Sequence, residues 1–298
     1  MKASLFNKNF LKDLKLPVAV DKDPYFSHYM NLVDPYFSSL DKYQTFVQCF
    51  ENHGRELFFD NNRRLVNATL DYLKDKPAFE VFNNIDIKQF KKDIQISGQE
   101  LYKSHNQNKH FISIDLVKAN FQSLLFVVPD LFDGHTNYDD FVKGRGFNDF
   151  MVISKQIRQI LFGNMNPQRQ QKIQSFMMNQ IADILVLNGI SVSDIYSLSS
   201  DELVFENVDN NHTVFDVVSV LMPLGFDVRV EAFKLVRPFE KPFYVKELQD
   251  GTKSFKMVPT SVMAEFIKRL ENRPVEDIDL YFYDETGRLS KHVEPFID

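Results

Sequence analysis

Apolar positions recur three and four residues apart over 40–59 (LDKYQTFVQCFENHGRELFF) and 63–76 (RRLVNATLDYLKDK), the period of a helix with one buried face. Gly54 and Pro77 punctuate these runs. An aromatic-rich pattern, YFSHYMNLVDPYFSSL, surrounds Pro35, where a helix break is expected. Residues 1–105 therefore read as a helical N-terminal region, with His53 and Arg55 solvated helix positions rather than site residues. The polar run KSHNQNKH, 103–110, reads as a linker or exposed loop.

Beyond it the period changes. Residues 111–116 (FISIDL) are strand-like and 117–128 turn helical. A turn-rich loop, PDLFDGHTNY, leads to a short helix and then to one helical face carrying Met151, Lys155, Arg158 and Phe162. A second helix over 168–187 stops at Asn188-Gly189. Residues 196–199 and 203–208 form the arms of a hairpin with Asp201 and Glu202 at its tip, and 213–224 is helical again. From 225 onward the pattern gives strands in GFDVRVEAFKLV, KPFYVKEL and SFKMV, a helix over 260–270 capped by Thr260, and a hairpin turning at 284–287. The fold class is α+β, divided into 1–105, a core over 106–224, and a small C-terminal α/β unit over 225–298.

Composition narrows the function classes. A chain of 298 residues with 26% charged side chains is long enough to bury a full core. No run of 18 apolar residues exists, so no membrane partner is expected, and the N-terminus lacks the apolar core of a secretory signal. Cys49 is the only cysteine, which excludes an internal disulfide and a cysteine-based zinc site and suits a reducing, cytoplasmic setting. His105 and His110 lack partners at zinc-ligand spacing. The net charge of −6 argues against electrostatic coating of nucleic acid but leaves room for a local basic groove. Such a groove exists in the sequence: between Lys143 and Lys172 six Lys/Arg face one acid, Asp149. No Gly-rich loop ending in Lys-Ser/Thr occurs, which excludes a P-loop ATPase.

Three elements carry candidate chemistry. Asp115 closes a strand at a strand-to-helix junction, where it serves either as a metal ligand or as a cap for the following helix. Lys155 and Arg158, with Phe162, line one helical face that suits a triphosphate and a base plane; the alternative is a solvated amphipathic helix. Asp201 and Glu202 on a tight turn propped by two strands make a rigid platform for metal. The acidic Asp284-Glu285 turn belongs to none of these and reads as a solvent-exposed hairpin tip.

In this order the elements resemble the palm and fingers of template-directed polymerases, most closely the family A DNA polymerases. Their third motif is a His-Asp-Glu turn followed by Leu-Val-Phe-Glu, and Ser200-Asp201-Glu202-Leu203-Val204-Phe205-Glu206 keeps all but the His. FISIDLVKANF is similar to their first motif, with Asp115 in the catalytic place. Their fingers helix carries a Lys four residues before a Phe-Gly pair; here Arg158 stands four before Phe162-Gly163. The Gln-plus-Ala-Asp helix ahead of the third motif has its counterpart in QIADI, 180–184. The sequence departs from the family at Asn120, where a Glu helps exclude ribonucleotides, at Asn166 for a Tyr, and at Ser154 for an Arg.

The resemblance implies a palm-and-fingers-like core preceded by a thumb-like helical region. It implies nucleotidyl transfer to a 3′-hydroxyl in DNA replication, by a virus-encoded or mobile-element type of polymerase. Asp115 and Asp201 would ligate Mg²⁺ (or Mn²⁺) with Glu202 assisting. Lys155 and Arg158 would grip the triphosphate, Phe162 would pack on the incoming base, and Asn120 would lie at the sugar. The partners would be a nucleic-acid primer and template and nucleoside triphosphates, with the C-terminal unit a surface for a protein partner. The alternative is a catalytically reduced polymerase-like protein that binds nucleic acid or a protein partner without chemistry.

Overall fold

The computed structural model describes residues 3–52, 58–91 and 100–293, so His53 and Arg55 lie outside the described residues. Five helices come first: α1 (Ala3–Leu14), α2 (Tyr25–Phe37), α3 (Ser39–Asn52), α4 (Phe58–Lys74) and α5 (Pro77–Asn84). Pro35 does not break α2. It sits in the last turn, where its missing N–H costs a single hydrogen bond, and the helix closes at Ser38 in left-handed conformation, its N–H donating to the Asp34 carbonyl at 2.8 Å.

The remaining elements are β1 (His110–Leu116), α6 (Ala119–Val127), α7 (Tyr138–Gly144), α8 (Asp149–Ile153), α9 (Lys155–Gly163), α10 (Pro167–Leu187), β2 (Ile195–Leu198), β3 (Glu202–Glu206), α11 (Val214–Leu221), β4 (Val228–Val236), β5 (Tyr244–Leu248), β6 (Lys253–Lys256), α12 (Met263–Leu270), β7 (Tyr281–Tyr283) and β8 (Leu289–Lys291). The expected single helix through Met151 and Phe162 is two. Ser154 takes an extended conformation and caps α9, its Oγ accepting from Ile157 N–H at 3.1 Å. Met151 is buried in α8 and shares no face with Lys155. Thr260 opens a short 3₁₀ turn and does not cap α12.

The molecule is α+β, built on one six-stranded antiparallel sheet in the order β2-β3-β1-β4-β5-β6; β7 and β8 pair separately. Strand alternation sorts the side chains of the large sheet. Ile112, Ile114 and Leu116 of β1, with Leu203 and Phe205 of β3, join a helix-side core that includes Phe121, Leu161, Phe162 and Met178. Phe111, Val204, Phe233, Leu235 and Tyr244 form a smaller cluster on the other face, joined by Leu101. Asp115 follows Phe111 and Ser113 onto that second face.

The sheet does not respect the boundary expected at 224. Strand β4 pairs with β1 along its length, from His110 opposite Lys234 to Leu116 opposite Val228, so residues after 225 complete the core sheet. The N-terminal helices likewise divide between two cores. Phe10, Phe26, Phe46 and Phe58 pack with Val245, Phe266 and Ile267 of the C-terminal segment, whereas Val66, Leu73 and Phe82 join the helix-side core of the sheet. Nonlocal packing, which no local periodicity reports, sets these groupings.

Candidate functional site

The hairpin turn between β2 and β3 is fixed by its own serine. Ser199 Oγ accepts from the N–H groups of Asp201 at 3.3 Å and Glu202 at 2.9 Å, and it lies 3.2 Å from Asp201 Oδ1. The turn is then pinned to the end of β1, where Leu116 N–H donates to the Asp201 carbonyl at 2.9 Å. Asp115 and Asp201 are thereby brought side by side. Asp115 does not cap α6, whose N-cap position is Lys118 in left-handed conformation without a side-chain cap bond.

Both carboxylates open into one cleft of about 420 Å³, lined also by Lys118, Asn120, Lys155, Arg158, Gln174 and Arg229. Two of the expected phosphate-binding residues, Lys155 and Arg158 on the first two turns of α9, thus line the same cleft as the two acids. Partial desolvation first, then the neighbouring cations Lys15, Arg158 and Arg229, hold the Lys155 ammonium below its ordinary pKa, and Asp201 pulls it up. Asn120 is oriented by Gln174, whose Nε2 donates to its Oδ1 at 2.8 Å. Gly163 backs the same side chain, since a Cβ there would meet Asn120 Nδ2 at 3.5 Å.

Two expected site residues lie elsewhere. Phe162 is fully buried and packs edge-on against Phe121, Phe132 and Tyr138, with centroids 5.7, 5.9 and 5.8 Å away. It presents no ring face to a base; the Phe of the Phe-Gly pair is a core residue here. Glu202 is opposite Asp115 in the strand register but pairs with the nearly buried Lys246, 3.0 Å from Nζ to Oε1. It therefore stands beside the cleft as a neutralised acid.

Sequence reasoning missed Arg229, Lys118, Tyr138 and Gln174. Arg229 donates from Nη2 to Asp115 Oδ2 at 3.2 Å, and its Nε forms an ion pair with Glu231 Oε1 at 3.3 Å. No local signal could have found it, because its place follows from β4 pairing beside β1. Tyr138 lies under Lys118, at 4.7 Å, and Arg158, at 6.0 Å from the ring centroid, as a cation–π floor. Burial pushes its phenol up to about 12, while Arg158 pulls it down and Asp139 raises it. Its hydroxyl has no hydrogen-bond partner among the described residues. Lys118 is held by Asp139 at 2.7 Å.

The donor set suits a hard divalent cation. Among the described residues no group of three or more His, Cys, Asp or Glu forms a metal cage. Mg²⁺ is commonly held by one or two carboxylates, with water and substrate phosphates completing the shell, and Asp115 and Asp201 are the two acids that line this cleft. Chemically the cleft sets two acids, Asp115 and Asp201, in one lining with the cations Lys118, Lys155, Arg158 and Arg229. No helix among the described residues is long and apolar enough to cross a membrane. No family model matches the chain, and no curated protein or solved structure matches it either.

Proposed function

We propose that the chain is a metal-dependent nucleotidyltransferase of the template-directed polymerase type, resembling a reduced family A palm and fingers. The observation that carries the reading is the meeting of Asp115 and Asp201 at one cleft that Lys155 and Arg158 also line. Asp115 and Asp201 hold Mg²⁺ or Mn²⁺, which when bound supplies activation of the attacking 3′-hydroxyl and neutralisation of the phosphates. Arg158 and Lys155 bind the triphosphate oxygens of the incoming nucleotide and balance charge on the departing pyrophosphate. Asn120, fixed by Gln174, borders the sugar. Primer and template nucleic acid approach from the rim that bears Asp115 and Asp201.

Primer extension with Mg²⁺ tests this reading. Asp115→Ala and Asp201→Ala are each expected to abolish incorporation while the melting temperature stays within about 4 °C of wild type, the shift of roughly 1 kcal/mol. Full activity in either variant overturns the site assignment.

A second reading has its own support in the Arg229–Asp115 and Lys246–Glu202 ion pairs, which neutralise two acids of the constellation from within. In that reading the cleft binds nucleotide or nucleic acid without turnover. Calorimetry with nucleoside triphosphate and Mg²⁺, run beside primer extension, separates the two: binding with no incorporation under any divalent metal supports the second.

A further inference from the structure

The last turn of α1 leans on the first turns of α9. The Ser154 hydroxyl that caps α9 donates to the Asp13 carbonyl at 3.4 Å. One residue past the end of α1, Lys15 Nζ donates to Gln159 Oε1 at 2.7 Å. Gln159 lines the same cleft as Lys155, Arg158 and Arg229. The chain just past the N-terminal helix thus brings an ammonium onto Gln159, beside a wall that carries cations, and Lys15 is the strongest like charge acting on Lys155. Gathering like charges is unfavourable unless an anion joins them.

The backbone at Lys15 turns the chain out of α1. Its φ of 54° lies in the left-handed region, and Leu16 N–H donates to the Leu11 carbonyl at 3.2 Å, closing α1 in a Schellman arrangement. Glycine meets this conformation without the steric cost that a Cβ incurs. A lysine in that place gives up backbone ease, and its ammonium meets Gln159, a residue of the cleft wall.

We propose that Lys15 is a ligand-binding residue: it contacts the outer phosphates of a polyphosphate-bearing ligand in the cleft, so that α1 completes the anion site of α9. The identity of the natural ligand as a nucleoside triphosphate rests on the nucleotidyltransferase reading; polyphosphate binding by Lys15 does not.

Calorimetric titration of the full chain with sodium tripolyphosphate, without divalent metal, tests the proposal. Lys15→Ala is expected to weaken binding about tenfold, the loss of one charge-assisted contact, while Lys15→Arg stays within about threefold of wild type. Lys15→Gly is expected to lose the same affinity yet melt at a higher temperature, because glycine relieves the backbone. A purely structural role would move affinity and melting temperature down together, and that result overturns the proposal. So do a wild-type chain that binds no tripolyphosphate, a Lys15→Ala chain that binds it as wild type does, and a loss confined to single-stranded oligonucleotide. If wild type fails to extend primers under any metal but Lys15→Ala still loses tripolyphosphate affinity, the polymerase reading falls and the proposal stands. If primers are extended and Lys15→Ala keeps both its nucleotide KM and its tripolyphosphate affinity, the proposal falls and the reading stands.

Discussion

Residues one turn apart on α9 share a helical face and still have opposite fates, because different neighbours meet its two ends. Arg158 reaches the cleft over the Tyr138 ring, whereas Phe162 turns into the aromatic cluster with Phe121 and Phe132. The same contrast holds at the end of α1, where Lys15 reaches water and its neighbour Asp13 is largely desolvated. Burial pushes the Asp13 carboxyl up to about 6, with Lys12 pulling it down. The sign of the consequence follows from linkage. With an ordinary value near 3.8 in the unfolded chain, the folded state holds the extra proton between about pH 4 and pH 6, so this group's contribution to stability falls across that window as pH rises. Asp13→Asn should therefore be more stable than wild type above pH 6 and show a flatter stability profile from pH 4 to 6. Denaturant midpoints measured at intervals of pH check this; a parallel pair of profiles rules it out.

At the scale of elements, Ser154 decides how the cation-bearing helix begins. Its N–H closes α8 on the Phe150 carbonyl, and its buried hydroxyl caps α9 through Ile157 N–H and ties the pair to the Asp13 carbonyl. The first residue after that cap is Lys155, so the direction of its side chain depends on where the helix starts. Ser154→Ala should cost about 1–2 kcal/mol, the typical loss of an N-cap. It should also weaken tripolyphosphate binding, because the first turn of α9 frays. Urea unfolding at unchanged m-value gives the first quantity and calorimetry the second. The β2–β3 hairpin works by the same economy, with Ser199 shaping the turn that sets Asp201 beside Leu116.

At the scale of the molecule, the sheet is the frame and it is assembled from distant parts. Strand β1 lies between β3 and β4, and Arg229 reaches Asp115 because β4 fills that place. A fragment spanning 106–224 keeps Asp115, Lys155, Arg158 and Asp201 but loses β4. Phe111 then loses the ring of Phe233, 5.7 Å away, and β1 becomes a bare edge. The fragment should show no cooperative thermal transition by circular dichroism, and a sharp one would establish residues 106–224 as an independent domain. The N-terminal helices belong to this frame too, since Phe46 and Phe58 share a core with Phe266 while Val66 and Leu73, further along α4, join the helix-side core of the sheet.

Local pattern determined a good part of this protein. Period-two alternation set the strand ending at Asp115 and the hairpin bearing Asp201, and helical spacing put Lys155 and Arg158 on one exposed face, because burial on one side imposes these periods within a single element. Residue chemistry at those positions was legible for the same reason. What tertiary structure decided was everything that depends on which element lies against which. That includes the burial of Phe162, the pairing of Glu202 with Lys246, the break at Ser154, the arrival of Arg229 at the cleft and the bond of Lys15 to Gln159. A side chain's period along its own helix or strand reports that a face is buried or wet, and carries no information about the distant residue that meets it there.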